Sequence, residues 1–308
     1  MRTTLGMPDA GLLNKGDRYA EPVPDSRNSG AAAAGRGHPE AIVRPKSAQQ
    51  AFTVERVPVD AELAEFVDYY WYVGWDVPTP YRQQVVPQPR VHMAAEHHEL
   101  VDERAEEAGP RLLAHGINRE YFYRTLTGVG HTLGAAFHPG GFRPFLGASV
   151  GSISGTVRPA APILGLDDRL AAARILSATE ISEMAAAFDA YLLSIGPRPD
   201  VTGREVTALV AEAEQNVGIV RAEALAEHAG VSLRTLQRLF TEYVGVGPKW
   251  VIQRFRLLDA AAAAHSGTDV DWAGLAVDLG FSDQAHLTRA FARVVGTPPA
   301  TYVREQRD

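Results

Sequence analysis

The sequence contains no cysteine, which excludes disulfides, iron–sulfur clusters and thiol catalysis. It has no run of 18 or more apolar residues, the length that a membrane-crossing helix needs. The opening stretch MRTTLGMPDAGLLNKGDRYAEPVP has no apolar core of signal-peptide length. A cytoplasmic protein that engages no membrane is the expectation. Positive charge is also scarce, with 30 Lys and Arg against 37 Asp and Glu and a net charge of −7 over 308 residues. That balance disfavours an anionic partner until the chain is divided. From Asn216 to Asp308 ten basic residues meet ten acidic ones, so the deficit lies entirely ahead of Asn216. A neutral domain binds nucleic acid when its arginines share a face.

The remainder is ordinary globular composition, 45% hydrophobic and 22% charged, with room for two domains. Residues 1–48 are rich in Ala, Gly and Pro without periodicity, and read as a disordered leader or a misplaced start. From about 50 to 165 the signals are strand-like. Asp68–Val77 alternates, with Tyr69, Trp71, Val73 and Trp75 on one face, and further short aromatic-rich runs follow between Pro and Gly breaks. This spacing predicts a small β-barrel or sandwich. Ile181, Met184, Phe188 and Leu192 then mark an amphipathic helix ending at Gly196-Pro197, and PRPDVTG reads as a linker. The expected division is a leader over 1–48, a sensor or dimerisation domain over 49–198 and a helical domain over 199–308.

The helical domain repeats itself. Leu225-Ala226 matches Leu275-Ala276, Gly230 matches Gly280, and Ser232 matches Ser282. Beyond one inserted residue, Leu236, Arg238 and Phe240 match Leu287, Arg289 and Phe291, and Gly245-x-x-Pro248 matches Gly296-x-x-Pro299. Each unit has the grammar of a helix-turn-helix. A short helix stops at a Gly able to turn left-handed, and a Ser (Ser232, Ser282) is placed to cap the next helix. Helical spacing buries Leu236, Leu239, Phe240 and Tyr243, leaving Arg234, Gln237, Arg238 and Thr241 on the opposite face. In the second unit Gln284, Ala285, Thr288 and Arg289 point outward. Arg reads guanine and Gln reads adenine through paired bonds in the major groove.

The expected units span about 219–246 and 271–296. Between them PKWVIQRFRLLDAAAAAH, residues 248–265, predicts a helix of about 27 Å. Successive major-groove faces on one side of a duplex lie about 34 Å apart. One chain is therefore expected to grip two adjacent major-groove segments of double-stranded DNA.

These residues resemble the AraC/XylS family of bacterial transcriptional regulators over about 217–304. GFSDQAHLTRAFARVVGTPPATYVR carries the family's Gly-Phe-Ser, Arg-x-Phe, Gly-x-x-Pro and Tyr pattern. The resemblance implies two helix-turn-helix subdomains joined by a long helix, binding DNA as monomer or homodimer and meeting RNA polymerase where the protein activates. It carries the recognition positions onto Arg234, Gln237 and Arg238, then Gln284, Ala285, Thr288 and Arg289. Ala285 is too short for hydrogen-bond readout, so the second unit specifies fewer bases. YWYVGWDVP, the VVPQP turn and FHPGGFRPFLG more weakly resemble the cupin-like sensor barrels of one subgroup. An α+β chain is thus expected, with a cupin-like barrel ahead of an all-α DNA-binding domain.

His92, Glu96, His97, His98 and Glu99 crowd one stretch, with His131 and His138 later. A metal-binding cupin needs His-x-His, a Glu on an adjacent strand and a distant His, whereas neighbours such as His97 and His98 point to opposite faces of a strand. No metal or other cofactor is assigned. Gly147-Ala-Ser149-Val-Gly151 has the spacing of a hydrolase nucleophile elbow but not its strand-to-helix context. A ligand pocket in the barrel would be lined by Tyr69, Trp71, Trp75, Tyr121, Tyr123 and Phe137, with Arg82, Arg90 or Arg143 pairing a charged effector. The reading is a non-enzymatic, DNA-binding regulator that answers an unidentified small-molecule effector. The alternatives are a metal-dependent cupin-type enzyme fused to a DNA-binding tail, and a regulator whose front half only dimerises.

Overall fold

The computed structural model describes residues 52–97, 109–265 and 269–307. The leader read over 1–48, together with His98 and Glu99, lies outside the described residues. The front half holds one antiparallel sheet of six strands: β1 Phe52–Val57, β2 Val67–Val85, β3 His92–His97, β4 Pro110–His115, β5 Phe122–Phe137 and β6 Val157–Pro159. Their order is β1-β2-β5-β3-β4-β6, so β1 and β6 are the edges.

The sheet curls instead of closing through a β1–β6 ladder. Val77 pairs with Gly128 and Tyr81 with Leu126, so Pro78, Thr79 and Pro80 stand opposite Thr127 alone. Proline cannot donate to a ladder and the surplus residues force a bend. Beyond it, the far half of β5 crosses back over the sheet, and Arg124 reaches Glu96 on β3 and His115 on β4 at 3.2 and 3.1 Å.

Alternation sorts the side chains onto two faces. Tyr70, Met93, Ala95, Leu112, Leu133, Ala135 and Phe137 form one apolar face. It packs against α3 Arg169–Ser177 and α4 Ile181–Ile195, reached through the short helices α1 Arg143–Leu146 and α2 Ala160–Leu164. Helix α4 carries the expected stripe and stops at Gly196, whose φ of 70° ends the helix. The Asp168 carboxylate is buried because it accepts from the Leu112 amide at 2.8 Å and pairs with Arg111.

On the other face the Trp71 and Trp75 rings lie across β5 above Gly134 and Gly130. A Cβ there would fall 2.1 and 2.6 Å from the indoles, so the two glycines make room for the two rings. Trp71 Nε1–H donates to His92 Nδ1 at 3.2 Å, as a neutral imidazole allows. Desolvation, with the charges of Arg90 and His115, pushes His92 down to about 3. Between about pH 6.5 and 3 the unfolded chain therefore takes up a proton that the folded chain refuses, and stability falls with pH. Thermal melts from about pH 7 to 4 should show a steeper loss in the wild type than in His92→Asn, which keeps an acceptor without the titration.

The rear half is helical: α5 Val201–Gln215, α6 Ala222–His228, α7 Leu233–Leu239 continuing as a π turn through Phe240–Val244, α8 Pro248–His265, α9 Trp272–Asp278, α10 Gln284–Val295 and α11 Pro299–Arg307. The linker read in PRPDVTG is shorter than expected. Asp200 accepts from the Gly203 amide at 3.1 Å and starts α5 at Val201, so a capped helix replaces the second half of that stretch. No helix among the described residues is long and apolar enough to cross a membrane.

Candidate nucleic-acid interface

Helix α8 is the frame on which both units are built. Its first half, through Val251, Ile252 and Phe255, enters a core with α5, α6, Leu236 and Phe240. Its second half, through Leu257, Leu258 and Ala261, enters a separate core with α9, Leu287, Phe291 and Val294. Arg256, midway, turns its guanidinium onto the carbonyls of Ala213, Glu214 and Asn216 at 2.8–2.9 Å. This satisfies the end of α5, where the helix leaves carbonyls without partners.

In the first unit α6 ends at Gly230, whose φ is +65°, a conformation that disfavours any side chain. Ser232 Oγ then accepts from the Thr235 amide at 3.1 Å and caps α7. Phe240 and Leu236 are fully buried, and Arg234, Gln237, Arg238 and Thr241 are exposed. The second unit repeats the turn, with Gly280 at φ +66°. Its cap, however, is Asp283, which accepts from the His286 amide at 2.7 Å. Ser282, assigned that role by sequence, instead donates to the Asp283 carboxylate at 3.1 Å. The inserted residue of the second unit falls here and moves Asp283 into the capping position. The His286 amide, then the Ser282 hydroxyl, hold that carboxyl below its ordinary range.

Ser232→Ala should cost about 1 kcal/mol of stability, measured by urea denaturation, and Ser282→Ala distinctly less. Equal losses would return the cap to Ser282.

On α10, Gln284, Ala285 and Arg289 are exposed and Thr288 is half-buried, its hydroxyl bonded to the Gln284 carbonyl at 2.8 Å. Each unit thus presents a row of polar side chains from a capped helix fixed to the same rod. Arg238 also contacts Glu242 at 3.4 Å, and the second oxygen of Glu242 meets Arg143 of the front half at 3.3 Å. This link between recognition helix and front half has no local signature in sequence.

The aromatic pocket set is divided by the structure. Tyr69, Trp71 and Trp75 do share a face, but Phe137 belongs to the opposite one, where it packs on Phe142 and Phe145 at 4.9 and 5.4 Å. Tyr123 is exposed on β5 under Arg82, 4.2 Å from the guanidinium, with Tyr121 edge-on beside it. Phe137 and Tyr123 have the wrong strand parity to face Trp71, and Tyr121 precedes the strand. The arginines offered to an effector are engaged: Arg82 on Tyr123, Arg90 with Asp68, and Arg143 with Glu242.

Sequence reasoning placed Glu96 only in the histidine-rich cluster and missed His115 and Arg124; the three meet on the Trp71 face. Burial pushes the Glu96 carboxyl up, but the His115 hydrogen bond and the charges of His115 and Arg124 outweigh it and hold the group below its ordinary range. Among the described residues no group of three or more His, Asp or Glu is arranged to hold a metal. Ser149 caps a short 3₁₀ turn, accepting from Gly151 and donating to the Thr241 carbonyl, both at 3.3 Å. Its role is structural.

Comparison with known proteins agrees with this geometry. Residues 225–305 match a family described as a helix-turn-helix domain, and residues 55–159 match one described as a domain of unknown function (DUF6597). PqrA of Proteus vulgaris, a probable transcription factor, is 32% identical over 94 residues, covering 30% of this chain and 75% of PqrA. A putative AraC-like transcription regulator of Streptomyces lividans is 37% identical over 78 residues, so the match spans only 25% of either chain. The crystal structure of ToxT from Vibrio cholerae is remote, with 10% identity and a TM-score of 0.32 over 82% of this chain and 98% of that one. Two helix-turn-helix units on one connecting helix define a double helix-turn-helix protein. The chain belongs to the AraC/XylS family.

Proposed function

We propose that this protein binds a specific double-stranded DNA site through two adjacent major-groove segments and regulates transcription there under the control of a small molecule. The observation that carries the reading is the duplicated unit: two capped helices, each with Arg and Gln exposed in one row, built on opposite halves of one rod of about 27 Å. Arg234, Gln237 and Arg238 read one groove segment, and Gln284, Thr288 and Arg289 the next, with Ala285 offering only apolar contact. The reading places a front half that senses or dimerises ahead of about residue 199 and a rear half that reads beyond it, and the change from sheet-bearing to all-helical chain supports that division. Control requires an effector with different affinities for two arrangements of those halves. Homodimer formation and contact with RNA polymerase follow the same family reading, as does a cytoplasmic location.

Selection of genomic fragments by the purified full-length protein at near-physiological salt tests the reading. The expected result is an enriched site with two short elements about one helical turn apart. Enrichment of no sequence, with and without cell-extracted small molecules, would sink it.

A further inference from the structure

We propose that Arg221 is a positioning residue for DNA readout, tying the first unit to the end of α9 and so fixing the register between the two recognition helices. Leu225 and Leu275 align the repeat, and in that alignment Arg221 stands where the second unit has Asp271. Each is the residue that precedes the first helix of its unit. Asp271 does what the position asks: its carboxylate accepts from the Ala273 and Gly274 amides at 3.1 and 3.0 Å and caps α9. Arg221 cannot. A guanidinium has no acceptor, its side chain makes no cap on α6, and its charge opposes the positive end of the helix dipole. The first unit gives up a cap that its duplicate keeps.

The side chain reaches the other unit instead. Arg221 Nε–H donates to the Asp278 carbonyl and Nη2–H to the Val277 carbonyl, both at 3.4 Å. The hydrogen-bond ladder of α9 does not serve these last carbonyls, and the helix dipole there favours a cation. Gln253 of α8 takes the next one, donating to the Leu279 carbonyl at 3.0 Å. Val220 packs against the core of the second unit, whereas Ile219 belongs to that of the first. At the other end of this segment the Asn216 carbonyl is held by Arg256. Residues 216–221 thus form a strap from the middle of α8 to the end of α9. Beyond that end come the Gly280 turn and α10, so whatever holds the end of α9 also aims the second recognition helix.

Moving one element of a DNA site by one base pair shifts it about 3.4 Å along the duplex and about 34° around it. Two recognition helices held in one register cannot follow both movements. Joined by α8 alone they follow more easily, because their cores are separate. Arg221 therefore makes the protein selective for the separation of the two elements without touching a base. That consequence rests on the proposed function; the tie itself does not.

The chain has no native cysteine, so spin labels at Glu227→Cys on α6 and Ala285→Cys on α10, both exposed positions, report the distance between the units. Pulsed electron resonance measures it on full-length protein without DNA. Arg221→Ser removes the tie while placing a good cap at the head of α6. The expected result is a wider distance distribution with Arg221→Ser, largely restored by Arg221→Lys, and a thermal stability held or raised. An unchanged distribution overturns the proposal. With one base pair added between the elements of the selected site, wild type is expected to lose about tenfold in affinity and Arg221→Ser about threefold or less. On a duplex with a single element the two should bind alike. Equal penalties for the added base pair overturn the positioning role. Equal loss on every duplex, with a shallower salt slope, assigns Arg221 to the phosphate backbone instead. Failure of wild type to prefer the selected site would overturn the DNA-binding reading alone, and the distance measurement would still decide the tie.

Discussion

Replacing Arg238 and Arg289 together by alanine is expected to weaken specific DNA binding by about 2–6 kcal/mol. Each bidentate base contact is worth about 1–3 kcal/mol, and the residues stand on different helices without shared partners, so their losses add. Arg238 is 65% exposed and, among the described residues, its acidic contact is Glu242 at 3.4 Å, a surface pair worth little that yields readily to a base edge. Neither substitution removes buried surface, so thermal stability should stay close to that of the wild type. Fluorescence anisotropy on the selected site and on a scrambled duplex separates the readings. Loss on the selected site alone assigns base contacts. Equal loss on both duplexes, with a shallower salt slope, assigns phosphate contacts and removes these residues from sequence readout.

Phe291→Ala is expected to destabilise the second unit by about 3–5 kcal/mol, the usual cost of deleting a buried phenyl ring. Phe291 is fully buried, edge-on to Trp272 at 5.3 Å and to Tyr302 at 5.8 Å. It joins α9, α10 and α11 in a core that contains no residue of the first unit's second helix. The first unit rests on Phe240 and the other half of α8. Amide exchange should therefore accelerate in α9 to α11 and change little in α6 and α7. Uniform acceleration would show that α8 couples the units into one cooperative block.

The helical half was legible because its rules are local. The matched Gly230 and Gly280, the burial of Leu236, Phe240, Leu287 and Phe291, and the rod over 248–265 all follow from spacings within one or two turns. The Ser282 assignment failed at the one position where the repeat changes length, because an inserted residue moves the cap and leaves the flanking letters alike. Strand parity placed Tyr69, Trp71 and Trp75 together, yet it also argues against Phe137 and Tyr123 in that set. The bend at Pro78–Pro80 brings Arg124 over Glu96 and His115, and no short-range pattern encodes which strands a curled ribbon will cross. Contacts such as Gln84 to the Val295 carbonyl join residues 211 positions apart and leave no periodic trace at all.

The glycine of each Gly-x-x-Pro turn meets the front half in a similar manner. Gly245 and Gly296 have φ values of 98° and 96°. The Gly245 carbonyl accepts from Ser154 Oγ at 2.6 Å, and the Val295 carbonyl beside Gly296 accepts from Gln84 Nε2 at 2.7 Å. A Cβ at Gly245 or Gly296 would strike Ser154 or Gln84. The front half thus holds the two readers at equivalent points, like a caliper closed on matching notches. A change of its curvature that altered the distance from Ser154 to Gln84 would be felt as torque between the readers. Under the proposed function, the spacing between operator half-elements that the protein tolerates would then be the quantity a bound effector adjusts.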